Sequence, residues 1–282
     1  MNIQITADST VDLTEELKQK YDIKTIGLTI SLGEKDYIDG EDITTTDIFN
    51  YIKKTGLLPK TGAVNIERYT KFFKNISNDD TSIIHFTISS EMSSCYSFAR
   101  TASKAFKNVY VIDSRSLSTS IALLAIKARR MADEGATVDE IVNTVQTLAK
   151  DNMVEGSFIL DKLKMLYKGG RCTAVQMFGA NLLGLKVCIG VHNGRMGVDT
   201  KYRGKFEKVV GEYMCDILEK YPNYDDHCVF ITYTTASNAV LQKAKEAVEK
   251  YGHFKNIYFT TAGATIASHC GENTIGILYL LN

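Results

Sequence analysis

The chain has 282 residues, with 33 Lys plus Arg against 33 Asp plus Glu, so its formal net charge is zero. Without a basic excess the general electrostatic basis for nucleic-acid binding is missing, and we expect no nucleic-acid partner. Hydrophobic residues make up 44% of the chain, which is ordinary globular usage and excludes a disordered protein. The longest strictly apolar run, residues 121–126, is far shorter than the ~20 residues of a membrane span.

The N-terminal residues and the cysteines both indicate a soluble, cytoplasmic protein. Residues 1–8 contain no basic segment followed by an apolar one, so we expect no signal peptide. The six cysteines are scattered along the chain and form no CxxC pair, which excludes a dithiol redox motif and a zinc knuckle. Scattered cysteines in a chain of this length are typical of buried thiols in a reducing compartment.

The first half of the chain alternates predicted strands with predicted helices. Its strands are expected near 3–7, 82–88 and 109–112, with a weaker strand and hairpin within 26–44. Its helices are expected near 14–21, 45–55, 66–76, from the serines after 88 to about 106, at 118–134 and at 137–150. The last of these helices opens with a capping box, Thr137 to Glu140, and Pro59 opens an irregular stretch that extends to residue 64. This spacing predicts βαβ units and a parallel sheet.

The pattern changes after about residue 155, where we predict a domain boundary between domains 1–155 and 156–282. Strands are expected in the second domain at 157–160, 187–191, 196–202, 229–233, 256–260 and 275–281. Helices are expected there at 162–167, 174–185, 206–220 and 236–251. The predicted fold class is therefore α/β.

Polar residues follow three of the first-half strands, at Asp8-Ser9, Ser89-Ser90 and Asp113-Ser114. In an open parallel sheet, ligands bind at the carboxyl ends of the strands. Asp and Ser also cap helices and form turns, so both interpretations stay open for each pair.

The segment 89–96 is the most suggestive of the three, because four serines lie between the end of a strand and the start of a helix. Hydroxyls and free backbone N–H groups suit an anion there, helped by the positive end of the helix dipole. No lysine is nearby and the whole chain contains no GxG, so neither a dinucleotide-binding turn nor a P-loop is available. The segment favours a compact anion such as a carboxylate.

Two further segments could contribute to such a site. The double glycine of Gly169-Gly170-Arg171 predicts a sharp turn that presents the arginine, whose forked guanidinium is a donor for carboxylates and phosphates. The alternative is a glycine that ends a helix, followed by a solvated arginine. His269 lies in a segment with Gly, Ser and Asn that we expect to be a turn before the last strand, and a structural histidine is the alternative. No HxH or HxxxH spacing occurs, so no metal site is expected.

A serine of the 89–94 segment, His269 and an aspartate could instead form a hydrolase triad. The chain has no GxSxG nucleophile elbow. Triads assemble from residues in any order, so a serine-dependent acyl hydrolase stays an alternative.

Taken together in chain order, these segments resemble the DegV family, which are bacterial fatty-acid-binding proteins. The resemblance runs essentially from end to end and is carried by these segments: Asp8-Ser9-Thr10, Pro59-Lys60-Thr61, Ser89 to Ser93 with Tyr96, Val111-Ile112-Asp113-Ser114, Leu166 to Arg171, and His269-x-Gly271. It implies an N-terminal parallel-sheet domain and a C-terminal α+β domain with a mostly antiparallel sheet, with one fatty acid between the two.

The resemblance also implies the roles of particular residues and partners. Thr61 and Ser93 match the residues that hold the carboxylate, and Arg171 and His269 match residues near the head group. Such proteins present the carboxylate to a separate fatty acid kinase, related to dihydroxyacetone kinases, which makes an acyl phosphate for phospholipid synthesis. The chain would then be a monomeric carrier with no catalytic residue and no cofactor, in transient contact with a membrane surface.

This sequence departs from the family pattern at residues 62–64, 94–95 and 270–273. A serine stands at position 94 where the family often has glycine, and Ser94 is expected to share or replace the role of Ser93. Another small apolar acid therefore stays an alternative ligand. Candidate segments for the wall of an acyl tunnel are 121–126, 174–185 and 275–281, although core has the same composition as a tunnel wall.

Overall fold

The computed structural model describes residues 2–172 and 184–282. Its strands are β1 (Asn2–Asp8), β2 (Ile23–Ile26), β3 (Thr29–Leu32), β4 (Lys35–Ile38), β5 (Lys60–Gly62), β6 (Thr81–Thr87), β7 (Val109–Asp113), β8 (Val154–Leu160), β9 (Lys186–His192), β10 (Arg195–Tyr202), β11 (Tyr224–Tyr233), β12 (Ile257–Thr261) and β13 (Thr274–Leu281). Its helices are α1 (Glu15–Lys20), α2 (Thr45–Thr55), α3 (Ile66–Ile76), α4 (Cys95–Ser103), α5 (Thr119–Asp133), α6 (Val138–Lys150), α7 (Lys164–Gly169), α8 (Phe206–Lys220), α9 (Asn238–Tyr251) and α10 (Ala264–Cys270). None of these described helices is long and apolar enough to cross a membrane. The predicted α/β class is confirmed, and the helix predicted over 174–185 falls almost wholly outside the described residues.

The first-half strands form a parallel sheet in the order β2–β1–β6–β7. Ile5 of β1 pairs with Ile23 on one side and with Ile84 on the other. All of β6, and β1 from its second residue, are buried, as expected for parallel strands covered on both faces. The carboxyl ends of β1, β6 and β7 therefore lie along one edge, as the βαβ pattern predicts.

The second-half strands form a six-stranded sheet in the order β10–β9–β8–β13–β11–β12. Every neighbouring pair is antiparallel except β11 and β12. Helices α8 and α9 cover one face, where Tyr213 and Val248 pack with Ile231 and Ile277. The predicted mostly antiparallel sheet is confirmed.

A second cluster of buried side chains joins the two sheets. It contains Ile5 and Phe86 from the parallel sheet together with Phe158, Phe230 and Leu278 from the other face of the six-stranded sheet. Helix α5 lies between them and contacts strands of both sheets. The two halves thus share apolar packing, and the division into domains at about residue 155 stays a prediction.

A small third sheet, in the order β4–β3–β5, corrects one expectation. The irregular stretch expected over 59–64 contains strand β5, in which Thr61 pairs with Ile30 of β3. A strand of three residues is too short to display alternation, so the sequence pattern did not predict it. The pairing holds the backbone of Thr61 in a defined position.

Helix α10 corrects a second expectation, since His269 lies on this helix and not in a turn. The carboxylate of Asp39 accepts hydrogen bonds from the backbone N–H groups of Ala264 (2.9 Å) and Thr265 (3.3 Å). The helix ends at Gly271, whose φ of +80° favours glycine. Because the cap comes from a residue more than two hundred positions away, no local signal marks the start of this helix.

Candidate functional site

A cavity of about 450 Å³ brings together all five residues that the sequence analysis singled out. They are Thr61, Ser93, Ser94, Arg171 and His269. Apolar side chains from both halves of the chain form another part of its wall, namely Leu28, Ile88, Leu117, Met196 and Ile266. A cavity with apolar walls and a few convergent polar groups is typical of a small-molecule site.

The hydroxyl of Thr61 and the ring of His269 are hydrogen-bonded, with Oγ1 2.8 Å from Nε2. Strand β5 carries the threonine and helix α10 carries the histidine, 208 positions apart in the chain. The pair is therefore assembled by the fold.

His269 is a neutral imidazole at physiological pH. Burial, with the Arg171 charge as a smaller cause, lowers the pKa of His269 to about 4. Its Nδ1 is buried and has no hydrogen-bond partner among the described residues. A buried N–H with no acceptor is rarer and costlier than a bare acceptor, so we assign the proton to Nε2, which donates to Thr61. The hydroxyl proton of Thr61 then stays available to a ligand.

The Gly169-Gly170-Arg171 turn follows α7 and approaches His269 closely. A Cβ atom on Gly169 would lie 2.5 Å from the Nδ1 of His269, so only glycine fits there without displacement. Gly170 ends the helix at φ +71°. The exposed Arg171 donates from Nη1 to the carbonyl of Gly169 at 2.8 Å, which keeps its guanidinium at the cavity.

The serine-rich turn lies at the start of α4. The Oγ of Ser93 accepts a hydrogen bond from the N–H of Cys95 at 3.3 Å and donates to its sulfur at 3.2 Å. Ser94 occupies the N-cap position, is exposed, and makes no side-chain capping bond. A hydroxyl at the positive end of a helix, without a capping role, suits an anionic ligand.

Contacts that the sequence analysis missed tie this turn to the tip of the β9–β10 hairpin. The Oγ of Ser89 donates to the carbonyl of Gly194 at 2.7 Å. The carboxylate of Glu91 is bound by the Nε and Nη2 atoms of Arg195 at 2.8 and 2.5 Å. These bonds join residues about a hundred positions apart, so no local pattern could have predicted them.

Asp8 and Asp113, at the ends of β1 and β7, accept hydrogen bonds from neighbouring groups at the sheet edge and do not line the cavity. Asp8 is fully buried and accepts hydrogen bonds from the hydroxyl of Tyr69 (2.6 Å) and the N–H of Ile88 (3.1 Å). Asp113 accepts from the N–H groups of Ser90 and Arg115. For Asp8 and Asp113 the turn-forming interpretation is therefore the one that the contacts support. Within residues 2–172 and 184–282, no group of three His, Cys, Asp or Glu side chains could hold a metal ion.

The chain matches the sequence profile of the DegV family, described as uncharacterised protein, over residues 2–282. The chain belongs to the DegV family. A fatty acid-binding protein of Thermotoga maritima is 28% identical to it over 98% of this chain and 96% of its own length.

Solved DegV structures share the fold over the full length. A fatty-acid-binding DegV protein from Thermus thermophilus superimposes with a TM-score of 0.91 at 24% identity, covering 100% of both chains. A stearic acid-binding protein from Eubacterium ventriosum superimposes with a TM-score of 0.88 at 25% identity, covering 100% of this chain and 98% of its own.

Proposed function

We propose that this DegV protein binds one long-chain fatty acid in the 450 Å³ cavity. The observation that carries the proposal is the convergence of Thr61, Ser93, Ser94, Arg171 and His269 on one cavity that also has apolar walls. The fatty acids bound by the Thermotoga and Eubacterium proteins support it.

The polar residues supply what a carboxylate needs. Thr61 donates its free hydroxyl proton, since His269 Nε2–H already occupies a lone pair of the same oxygen. Ser93 and Ser94 add hydroxyls at the start of α4, and Arg171 adds positive charge. A hydrogen bond to a charged group contributes about 1.5–3 kcal/mol, so these groups fix the head group.

The apolar wall supplies most of the affinity. Burying a methylene contributes about 0.8 kcal/mol, so a chain of about fourteen methylenes contributes roughly 11 kcal/mol before the costs of binding. Lost motion and desolvation offset part of that gain.

The protein then acts as a carrier that presents the carboxylate to a separate kinase, related to dihydroxyacetone kinases, for acyl-phosphate formation and phospholipid synthesis. The exposed position of Arg171 supports this role, because the head group would lie near the surface. Exposed Lys162, Lys164 and Lys168 beside it, with the half-exposed Tyr167, would favour transient contact with an anionic membrane surface. The carrier is proposed to work as a cytoplasmic monomer without a cofactor.

The geometry favours a carrier over an acyl hydrolase. A general base must take a proton from its nucleophile, and a histidine with a pKa of about 4 is a weak base at neutral pH. His269 is bonded to a threonine, and its Nδ1 has no carboxylate partner in the described part of the chain. A catalytic triad would need a serine nucleophile hydrogen-bonded to this histidine and a carboxylate hydrogen-bonded to its Nδ1.

Titration of delipidated protein with palmitate, measured by displacement of a fluorescent fatty acid, tests the proposal. We expect saturation at one acid per chain and no turnover of a p-nitrophenyl ester. Failure to displace the probe with any acid from eight to twenty carbons would overturn fatty acid binding. Ester turnover lost on His269→Ala would overturn the carrier role and favour the hydrolase.

A further inference from the structure

Thr265 lines the cavity, and its buried hydroxyl has no hydrogen-bond partner in the described part of the chain. Thr265 lies on α10 one helical turn before His269 and is 4% exposed. It lines the same cavity as the proposed head-group residues, and within residues 2–172 and 184–282 its buried Oγ1 makes no hydrogen bond. Residues four apart on a helix share a face, with their Cβ atoms about 5–6 Å apart.

The missing bond is unusual for a buried hydroxyl, since such groups are nearly always paired. Thr265 is the second residue of α10, so no carbonyl of the helix lies four residues before it to accept the bond. Three buried side-chain hydroxyls lack partners in the described part of the chain, at Thr10, Ser120 and Thr265, and only the last lines the cavity. An unpaired hydroxyl on a residue that lines a ligand cavity is placed to bond a polar group of the ligand.

The backbone that carries this hydroxyl is firmly held. The N–H of Thr265 donates to the carboxylate of Asp39, and so does the N–H of Ala264. Asp39 is itself 2% exposed and accepts a further bond from Ser9 at 2.9 Å. Rotation of the threonine side chain alone can turn its hydroxyl toward a ligand, with no movement of α10.

The other hydroxyls that line the cavity are either hydrogen-bonded or, like those of Ser90 and Ser94, belong to exposed residues before α4. Thr61 bonds His269, Ser93 bonds Cys95, and Ser97 donates to the carbonyl of Ser94 at 2.9 Å. A carboxylate has only two oxygens, and the hydroxyls at the start of α4 and on β5 suffice for them. The hydroxyl of Thr265 is therefore available to bond an oxygen of the ligand outside its carboxylate.

We propose that Thr265 recognises an oxygen substituent on the acyl chain close to its carboxylate, so that the cavity prefers a hydroxy fatty acid over the unsubstituted acid of the same length. This proposal rests on fatty acid binding in the same cavity. The hydroxyl of the acid and that of Thr265 would satisfy each other in surroundings without competing water.

The test compares 3-hydroxytetradecanoic acid with tetradecanoic acid on delipidated protein, by displacement of a fluorescent fatty acid. One net hydrogen bond corresponds to a preference of about three- to tenfold. The isosteric variant Thr265→Val is expected to bind tetradecanoic acid as the natural protein does and to lose the preference. Thr265→Ser, which restores a hydroxyl, is expected to keep it.

The outcomes separate this proposal from the proposed function. Equal affinity of the natural protein for the two acids, or an undiminished preference in Thr265→Val, would overturn the role of Thr265 while fatty acid binding stands. If neither acid binds at any concentration below its solubility limit, fatty acid binding itself fails and the inference fails with it.

Discussion

The hydroxyl of Thr61 has a proton to offer because His269 is neutral and donates from Nε2. That arrangement depends on Gly169, which lies against the opposite side of the imidazole. The family resemblance pointed to Thr61, and both the local segment and the resemblance pointed to His269. The contact between the two residues and the role of the glycine became visible only in the fold. At the scale of single residues, the central feature of the candidate site is the hydroxyl of Thr61, whose orientation is fixed by its hydrogen bond to the ring of His269.

Gly169→Ala is expected to weaken fatty acid binding about tenfold or more, because the added Cβ would lie 2.5 Å from the Nδ1 of His269 and displace the ring. Gly197→Ala is the matched control, since no atom of the described residues lies within 4 Å of a Cβ at that position. Competition titrations on both variants measure the effect. Equal affinities in the two variants would show that the position of the ring does not matter.

Thr61→Val combined with Ser93→Ala is expected to weaken binding by at least tenfold, since hydrogen bonds to a charged head group contribute about 1.5–3 kcal/mol each. The ligand-free protein is expected to stay folded with a somewhat lower melting temperature, because Thr61→Val leaves the buried Nε2–H of His269 without its acceptor. Thr70→Val removes a hydroxyl that bonds only within its own helix, at 2.8 Å to Ile66, and serves as the control. Unchanged affinity in the double variant would refute the head-group assignment.

At the scale of elements, the sequence predicted those helices and strands that are marked by local signals, such as capping residues and apolar runs. The capping box from Thr137 to Glu140 is present at the start of α6, and the apolar run after Thr81 forms β6. Strand β5 and helix α10 were not predicted, because a pairing with β3 and the remote carboxylate of Asp39 fix them. These two elements carry Thr61 and His269. The family resemblance therefore identified the two residues, but the strand and the helix that hold them in place were not predicted.

The candidate tunnel segments show a related difficulty. Residues 121–126 are buried within α5, and neither they nor residues 275–281 are among the described residues that line the 450 Å³ cavity. Most of the third candidate, 174–185, lies outside the described residues. Core and cavity wall have the same composition, so hydropathy alone could not separate them.

Strand β8 contains a buried acid whose titration should be measurable. Glu155 is 8% exposed, and burial, with Asp199 as a smaller cause, raises its pKa to about 7, against the opposing effects of Ser157, His192 and Lys220. The folded state thus keeps a proton that the unfolded chain releases near pH 4.5. The stability linked to this proton is present below about pH 4.5 and is lost as the pH rises through 7.

From pH 4.5 to 8 this single group should lower the free energy of unfolding by up to about 3 kcal/mol. Glu155→Gln is expected to remove that part of the pH dependence, and Glu134→Gln, which changes an exposed acid, is expected to keep it. Urea unfolding of the three proteins at a series of pH values provides the measurement. Parallel pH profiles for the natural protein and Glu155→Gln would contradict the assignment.

At the scale of the whole molecule, the cavity belongs to both halves of the chain. Ile88 and Ser93 reach it from the parallel sheet, and Met196 and Ile266 reach it from the second half. The bonds from Ser89 to Gly194 and from Glu91 to Arg195 hold the halves together beside it. Because the net charge of the chain is zero, the attraction of the proposed carboxylate ligand would come from local groups at the cavity, above all Arg171.

Organic extraction of the purified protein, followed by mass spectrometry, tests the central claim most directly. The account predicts close to one equivalent of long-chain fatty acid per chain, and much less from the double variant Thr61→Val, Ser93→Ala purified in the same way. An extract without any fatty acid, from protein that also fails to take up added acid, would contradict it.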